Sequence, residues 1–411
     1  MKNKIKLILI WILLFSIQIV NVQAEEFDIT SEHVILYNLN DNEVLYEKES
    51  TTKTQIASLT KIMTTIVALE NIDNLEKEVT ITKEAFKGIS EYSQVGLKVG
   101  NKITIKDLLY GTMLPSGADA VNALAIDISG SIDSFVELMN QKAQELGLNN
   151  THFDNPIGMD SEDNYSTAQD IATMLLYALK NDTFKEIFTA REYIIPSLNL
   201  SMKSTLIGYS RSYGLDISEI TGAKSGFTDG AGLCLASIAT IDDVDYLLVT
   251  IGAQTKNRSN AVRDTLEIYG YYSSTYSYQT IMKKDQVLAT IPIKWGKTEI
   301  YEIKATEDKE LYLENGLRKN KLKYEFNGVD ELNYSIKRGT KLGTITVTYR
   351  NEELTTYDVY LNDALEYYHP VLYVMIAIAI ILMIISLRMM IKQKKKDKKN
   401  KSNKKTIKKK K

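Results

Sequence analysis

The chain is poor in the side chains that most often staple a protein or bind a metal. Of its 411 residues only Cys234 is cysteine, which excludes an intramolecular disulfide and a four-cysteine zinc site. The same thiol reads as a buried strand residue rather than a redox group. Three histidines, His33, His152 and His369, stand far apart with no His-Glu-x-x-His pair, so a histidine-rich metal centre has little to draw on. A serine–histidine–aspartate triad could use only one of them, and any serine chemistry therefore calls for another base. No metal and no cofactor is expected. There is no internal repeat, and low complexity is confined to the lysine-rich end.

The formal net charge of −2 averages unlike parts. Residues 1–24 read as a secretory signal, with Lys2, Lys4 and Lys6, an apolar run from Leu7 to Val20, and Val22-Gln23-Ala24 as the cleavage site. An uncleaved anchor is the other reading of that run. Near the far end, Val371 to Leu387 carries no charge, and residues 371–391 are expected to form a transmembrane helix, with Arg388 snorkelling. From Arg388 to Lys411 fourteen Lys/Arg face one acid, Asp397. That density of positive charge marks the cytoplasmic side and suits anionic headgroups. Between the two ends, residues 25–387 keep 33 Lys+Arg against 51 Asp+Glu, a net charge of −18. Such a surface repels nucleic acid. The expected arrangement is a cell-membrane protein of one pass, with an acidic extracytoplasmic body and a cytoplasmic tail at 392–411.

Residues 25–276 mix strands and helices, an α+β or α/β domain. Val34 to Tyr37 and Val44 to Tyr46 flank Asn40-Asp41-Asn42 and read as a hairpin. Ile132, Phe135, Met139, Ala143 and Leu146 keep helical spacing up to Gly147. Leu233 to Thr240 and Tyr246 to Gly252 are apolar strands, and Asn260 to Tyr271 is a closing helix. Residues 277–362 turn to short strands, enough for a small β sandwich, and 363–370 would be a stalk.

Serine followed by lysine three residues later occurs at Ser50/Lys53, Ser58/Lys61 and Ser402/Lys405. Context separates them. Ser58 opens the run Ile56 to Leu69, in which Lys61 is the only charge and apolar residues occupy most directions of the helical wheel, as in a buried helix. A spacing of three puts both side chains on one face. Burial lowers a lysine's pKa toward that of a useful base, and serine needs such a neighbour to attack at neutral pH. A lysine snorkelling to solvent is the bland alternative. Ser116, in Leu114-Pro115-Ser116-Gly117-Ala118, falls in a tight connection between two helical stretches and could face a cleft or merely cap a helix. Lys224-Ser225-Gly226 offers a cation, a hydroxyl and close backbone approach, suited to a carboxylate, or else a plain turn.

Taken in order, Ser58-Leu59-Thr60-Lys61, Ser116-Gly117-Ala118 and Lys224-Ser225-Gly226 resemble the three motifs of the penicillin-binding serine peptidases and serine β-lactamases. Val95 to Gly100 with Asp107 to Gly111, Asn155-Pro156, Tyr165 to Ala168, and Thr228-Asp229 with Ala231-Gly232 narrow the resemblance to the low-molecular-mass D-alanyl-D-alanine carboxypeptidases. The likeness runs from about Glu25 to Leu361. It implies a β-lactamase-like penicilloyl-serine transferase domain and a small all-β domain. It also implies hydrolysis of a peptidoglycan stem peptide ending in D-Ala-D-Ala, and capture of β-lactam antibiotics. By resemblance, Ser58 attacks, Lys61 takes its proton, and Ser116 relays it to the leaving D-alanine. Lys224, Ser225 and Gly226 would bind the terminal carboxylate, and the N–H groups of Ser58 and Phe227 would stabilise the oxyanion.

Three departures from the family pattern stand out. Ala118 replaces the usual asparagine of the second motif, Ser225 the usual threonine of the third, and the expected span replaces the usual amphipathic surface helix. Two other readings share the motifs. A serine β-lactamase would need a deacylation base, for which the loop 155–165 offers Asp160, Glu162 and Asp163. A catalytically weak wall-binding or regulatory relative would fit Ala118.

Overall fold

The computed structural model describes residues 27–368 and 370–408, so the signal segment 1–24 lies outside the described residues. The chain divides into two compact units that meet in sequence at Thr275 and Tyr276.

In the first unit β1 (His33–Asn38) and β2 (Glu43–Lys48) form the expected hairpin. Two short antiparallel pairs, β3 (Glu78–Thr80) with β4 (Lys102–Thr104) and β5 (Glu192–Ile195) with β6 (Leu200–Lys203), stand apart from the main sheet. The main sheet is completed by β7 (Ile220–Thr228), β8 (Gly232–Ile241) and β9 (Val244–Ala253) in the antiparallel order β2-β1-β9-β8-β7. Its central strands are buried along nearly their whole length, which is why Leu233 to Thr240 reads as a largely apolar run without charge.

Helices cover both faces of that sheet. α1 (Thr60–Glu70) lies in the core, with α2 (Ile105–Met113), α3 (Ala118–Ser129), α4 (Ile132–Glu145), α5 (Ala168–Ala178) and α6 (Asp182–Thr189) around it. α7 (Thr205–Tyr213) flanks β7, and α8 (Asn260–Thr275) packs on β8 and β9. Local chemistry sets the ends of these helices. Thr104 and Asp107 form a reciprocal capping box at the start of α2, and Gly130, with φ +82°, closes α3. The carboxylate of Asp264 in α8 accepts from the N–H and hydroxyl of Ser31 at 2.7 and 2.6 Å, pinning the chain entry to the closing helix.

The second unit is all-β up to its last helix. Its strands are β10 (Tyr276–Met282), β11 (Val287–Pro292), β12 (Ile300–Lys304), β13 (Lys309–Glu314), β14 (Leu322–Gly328), β15 (Lys341–Tyr349) and β16 (Glu352–Tyr360). They pair as β10-β13, β11-β12 and β14-β15-β16 around Ile281, Ile291, Leu332, Ile345 and Val347. Residues 366–368, within the stretch read as a stalk, are hydrogen-bonded to residues 295–297 of this unit. α9 (Pro370–Lys408) follows, and among the described residues it is the one helix long and apolar enough to cross a membrane.

Candidate active site

α1 is buried on all sides, with Ile62, Met63, Ile66 and Val67 in the core and Lys61 among them, 2% exposed. Ser58 precedes the helix. The sequence reading carries the helix through Ile56, but the α-helix starts at Thr60, and Ser58 occupies a single 3-10 turn, Ala57–Leu59. The turn arises because the chain is pinched there. Ala57 holds φ +46°, and two glycines press on it. A Cβ on Gly226 would sit 2.9 Å from the Ser58 nitrogen and 3.0 Å from the Ala57 Cβ, and one on Gly158 would overlap the Ala57 carbonyl.

Within this frame Lys61 Nζ donates to Ser58 Oγ at 2.9 Å and to the Ile157 carbonyl at 2.6 Å. That carbonyl is presented by a turn which the Asn155 side chain shapes, its Oδ1 accepting from the N–H groups of Gly158 and Met159. Ser116, with φ +62°, lies in the link between α2 and α3; Gly117 is the N-cap of α3, so Ser116 is not spent on capping. Lys224 Nζ donates to Ser116 Oγ at 2.9 Å and to the Ser225 carbonyl at 2.6 Å. Lys224-Ser225-Gly226 is not a turn. It lies inside β7, the edge strand of the sheet, which leaves one side of the strand open to an extended ligand. Ser225 Oγ shares a 2.6 Å hydrogen bond with Thr205 Oγ1.

The electrostatics favour neutral amines. Burial holds Lys61 well below its ordinary range, and the nearby charge of Lys224 lowers it further. Burial alone brings Lys224 down to about 7. Two ammonium groups in one dry site disfavour each other, and a neutral lysine beside a serine hydroxyl is a general base within reach of its proton.

Ser58, Lys61, Ser116, Ser225, Gly226 and Phe227 line one cleft of about 440 Å³, with Lys224 buried behind Ser116. The cleft also holds residues the sequence reading missed, namely Thr205, Tyr209, Arg258, and the rim residues Glu91, Tyr92 and Ser93. The Arg258 guanidinium lies 3.8 Å from the Phe227 ring centroid, a cation on an aromatic face at the mouth of the site. Nothing in the local sequence around Arg258 signals it, because topology alone brings the loop after β9 to the edge of β7. Ala118 is fully buried with Ile89, Val121 and Ile157 and carries no polar group into the cleft. Asp119 turns away from the cleft and accepts from the N–H groups of Val95, Gly96 and Leu97, while Asn122 donates to the Ala85 carbonyl.

Comparison with known proteins identifies the family. Residues 19–255 match the family described as D-alanyl-D-alanine carboxypeptidase, and residues 276–367 match the one described as penicillin-binding protein 5, C-terminal domain. The D-alanyl-D-alanine carboxypeptidase DacF of Bacillus subtilis is 30% identical over 326 residues, 79% of this chain and 83% of its own length. The crystal structure of the Streptomyces K15 DD-transpeptidase aligns at 31% identity with a TM-score of 0.54, covering 60% of this chain and 98% of that one. The carboxypeptidase DacD from Francisella tularensis shares the fold at a TM-score of 0.63 and 23% identity, covering 84% of this chain and 95% of its own.

Proposed function

The chain belongs to the D-alanyl-D-alanine carboxypeptidase family of serine peptidases, and on that premise we propose that Ser58 is its nucleophile and that it trims the terminal D-alanine from peptidoglycan stem peptides. The observation that carries the assignment is the 2.9 Å contact between Lys61 Nζ and Ser58 Oγ in a buried site that depresses the lysine.

Ser58 Oγ attacks the carbonyl between the two D-alanines as neutral Lys61 takes its proton. The edge strand β7 passes against the Ser58 turn, and the N–H groups of Ser58 and Phe227 receive the developing oxyanion. Each donor of this kind is worth ~3–4 kcal/mol. Ser116, hydrogen-bonded to Lys224, relays the proton that Lys61 took to the departing amine, giving up its own hydroxyl proton as it receives that one. The terminal carboxylate is met by the Ser225 and Thr205 hydroxyls and by Arg258, while Lys224 stays turned to Ser116 behind them. Water then releases the acyl group from Ser58. Penicillins follow the same first step, and their adduct persists because Asp160, Glu162 and Asp163, the acids a β-lactamase reading would use, do not line the cleft.

α9 anchors the protein, with the acidic body outside the cell and the polybasic end in the cytoplasm. Mass mapping of the penicilloyl adduct tests the site. Label on the peptide containing Ser58, absent from Ser58→Ala, supports the assignment, and label elsewhere overturns it.

A further inference from the structure

We propose that the tip of the β11–β12 hairpin seats Trp295 in the headgroup layer of the bilayer that α9 enters. The proposal rests on reading α9 as a membrane span. It names a second point of membrane contact, within the β unit itself.

The hairpin tip is tied to the segment leading into α9. Lys297 N–H donates to the Glu366 carbonyl at 2.8 Å, Tyr368 N–H donates to the Trp295 carbonyl at 2.7 Å, and Gly296 bridges to Tyr367. A trans chain advances at most ~3.8 Å per residue, so Tyr368 and Pro370 are separated by no more than ~7.6 Å. The headgroup layer extends ~5–8 Å beyond the hydrocarbon core on each side. Where α9 enters that core at its first residue, the layer reaches Tyr368 and the tip bonded to it.

The side chains at the tip make sense in such a layer and not in water. Trp295 is 56% exposed and Tyr368 49% exposed. Trp295 also holds φ +59°, a left-handed conformation that bulky residues rarely adopt. An indole that is exposed and in a disfavoured backbone conformation gains little from its own domain. At a membrane interface the ring meets apolar chains while its N–H stays wet. Tyr373, in the first turn of α9, is exposed as well and adds to the aromatic band. Lys294 and Lys297 flank the indole, but each is paired, with Glu331 at 3.6 Å and Glu366 at 2.7 Å. The tip therefore has no excess positive charge, and its attraction to the bilayer is aromatic partition rather than binding of anionic lipid.

The sequence contains two tryptophans, Trp11 and Trp295, so a Trp11→Phe chain reports on Trp295 alone. The full chain is reconstituted in phosphatidylcholine vesicles, with and without phosphatidylglycerol, using lipid brominated in the upper acyl chain or unbrominated lipid. Bromolipid is expected to quench Trp295 emission by about half in both mixtures, as for an indole at headgroup depth. A chain that floats with the vesicles while Trp295 is quenched by aqueous acrylamide and not by bromolipid overturns the proposal and leaves the span intact. Bromolipid quenching that needs phosphatidylglycerol overturns the aromatic assignment. A chain that does not float overturns the span, and the proposal with it.

Discussion

Lys224 donates to the Ser116 hydroxyl at 2.9 Å, and both side chains are buried. Lys61 and Ser58 make a contact of the same length in the same cleft. Two lysine–serine pairs thus share one desolvated site, in which a proton on either lysine raises the cost of a proton on the other.

This coupling fixes the sign of the pH dependence. Both lysines are depressed, so the neutral base forms as pH rises, and the rate of Ser58 acylation by benzylpenicillin should climb on a limb set by Lys61, well below the ordinary lysine range. Lys224→Met removes the cation that lowers Lys61, and its rising limb should move to higher pH. A limb that stays in place, measured by stopped-flow acylation, would show that the two amines are not coupled.

Ala118 is a different matter from what the family pattern suggests. Its side chain packs among Ile89, Val121 and Ile157, and the Ile157 carbonyl already holds Lys61. An asparagine here would overfill an apolar cluster and bury an unmatched amide. Ala118→Asn should cost ~1–3 kcal/mol of stability with no gain in acylation rate. Thermal melts and acylation rates check this, and a faster enzyme of undiminished stability would refute it.

Gly226 tests the contact between β7 and the Ser58 turn. In Gly226→Ala the new methyl meets the Ser58 nitrogen and the Ala57 Cβ, both fixed parts of the turn. Acylation should fall by at least ~10²-fold through displacement of an oxyanion donor, with circular dichroism unchanged. Full activity would place the oxyanion elsewhere.

Much of this site was legible because its chemistry lies in short, local spacings. Ser58 and Lys61 are three residues apart beside an apolar run, and Lys224-Ser225-Gly226 precedes an obvious strand. Contributions that come from the backbone or from distant loops were not legible. The Ile157 carbonyl has no side-chain signature, Arg258 reaches the cleft only through the order β9-β8-β7, and the 3-10 turn at Ser58 follows from packing against Gly158 and Gly226. The burial of Ala118 shows the same limit, since a motif comparison registers a missing amide but not the apolar cluster that fills its place.

Arg258 should matter for the substrate's charged end. Arg258→Ala is expected to lower kcat/KM for a peptide ending in free D-Ala-D-Ala by ~10–100-fold, the loss of one charge-assisted hydrogen bond of ~1.5–3 kcal/mol. The same peptide with its terminus amidated should be turned over alike by both enzymes. An equal loss on both peptides would mean that Arg258 serves only to support Phe227.

The central claim is that Ser58, activated by Lys61, releases D-alanine. The direct measurement is free D-alanine from a peptide ending in Lys-D-Ala-D-Ala, comparing the unaltered chain with Ser58→Ala. Release that disappears in the variant is the predicted result. Release that survives the loss of Ser58, or no release from an unaltered chain that is correctly folded, would contradict the account.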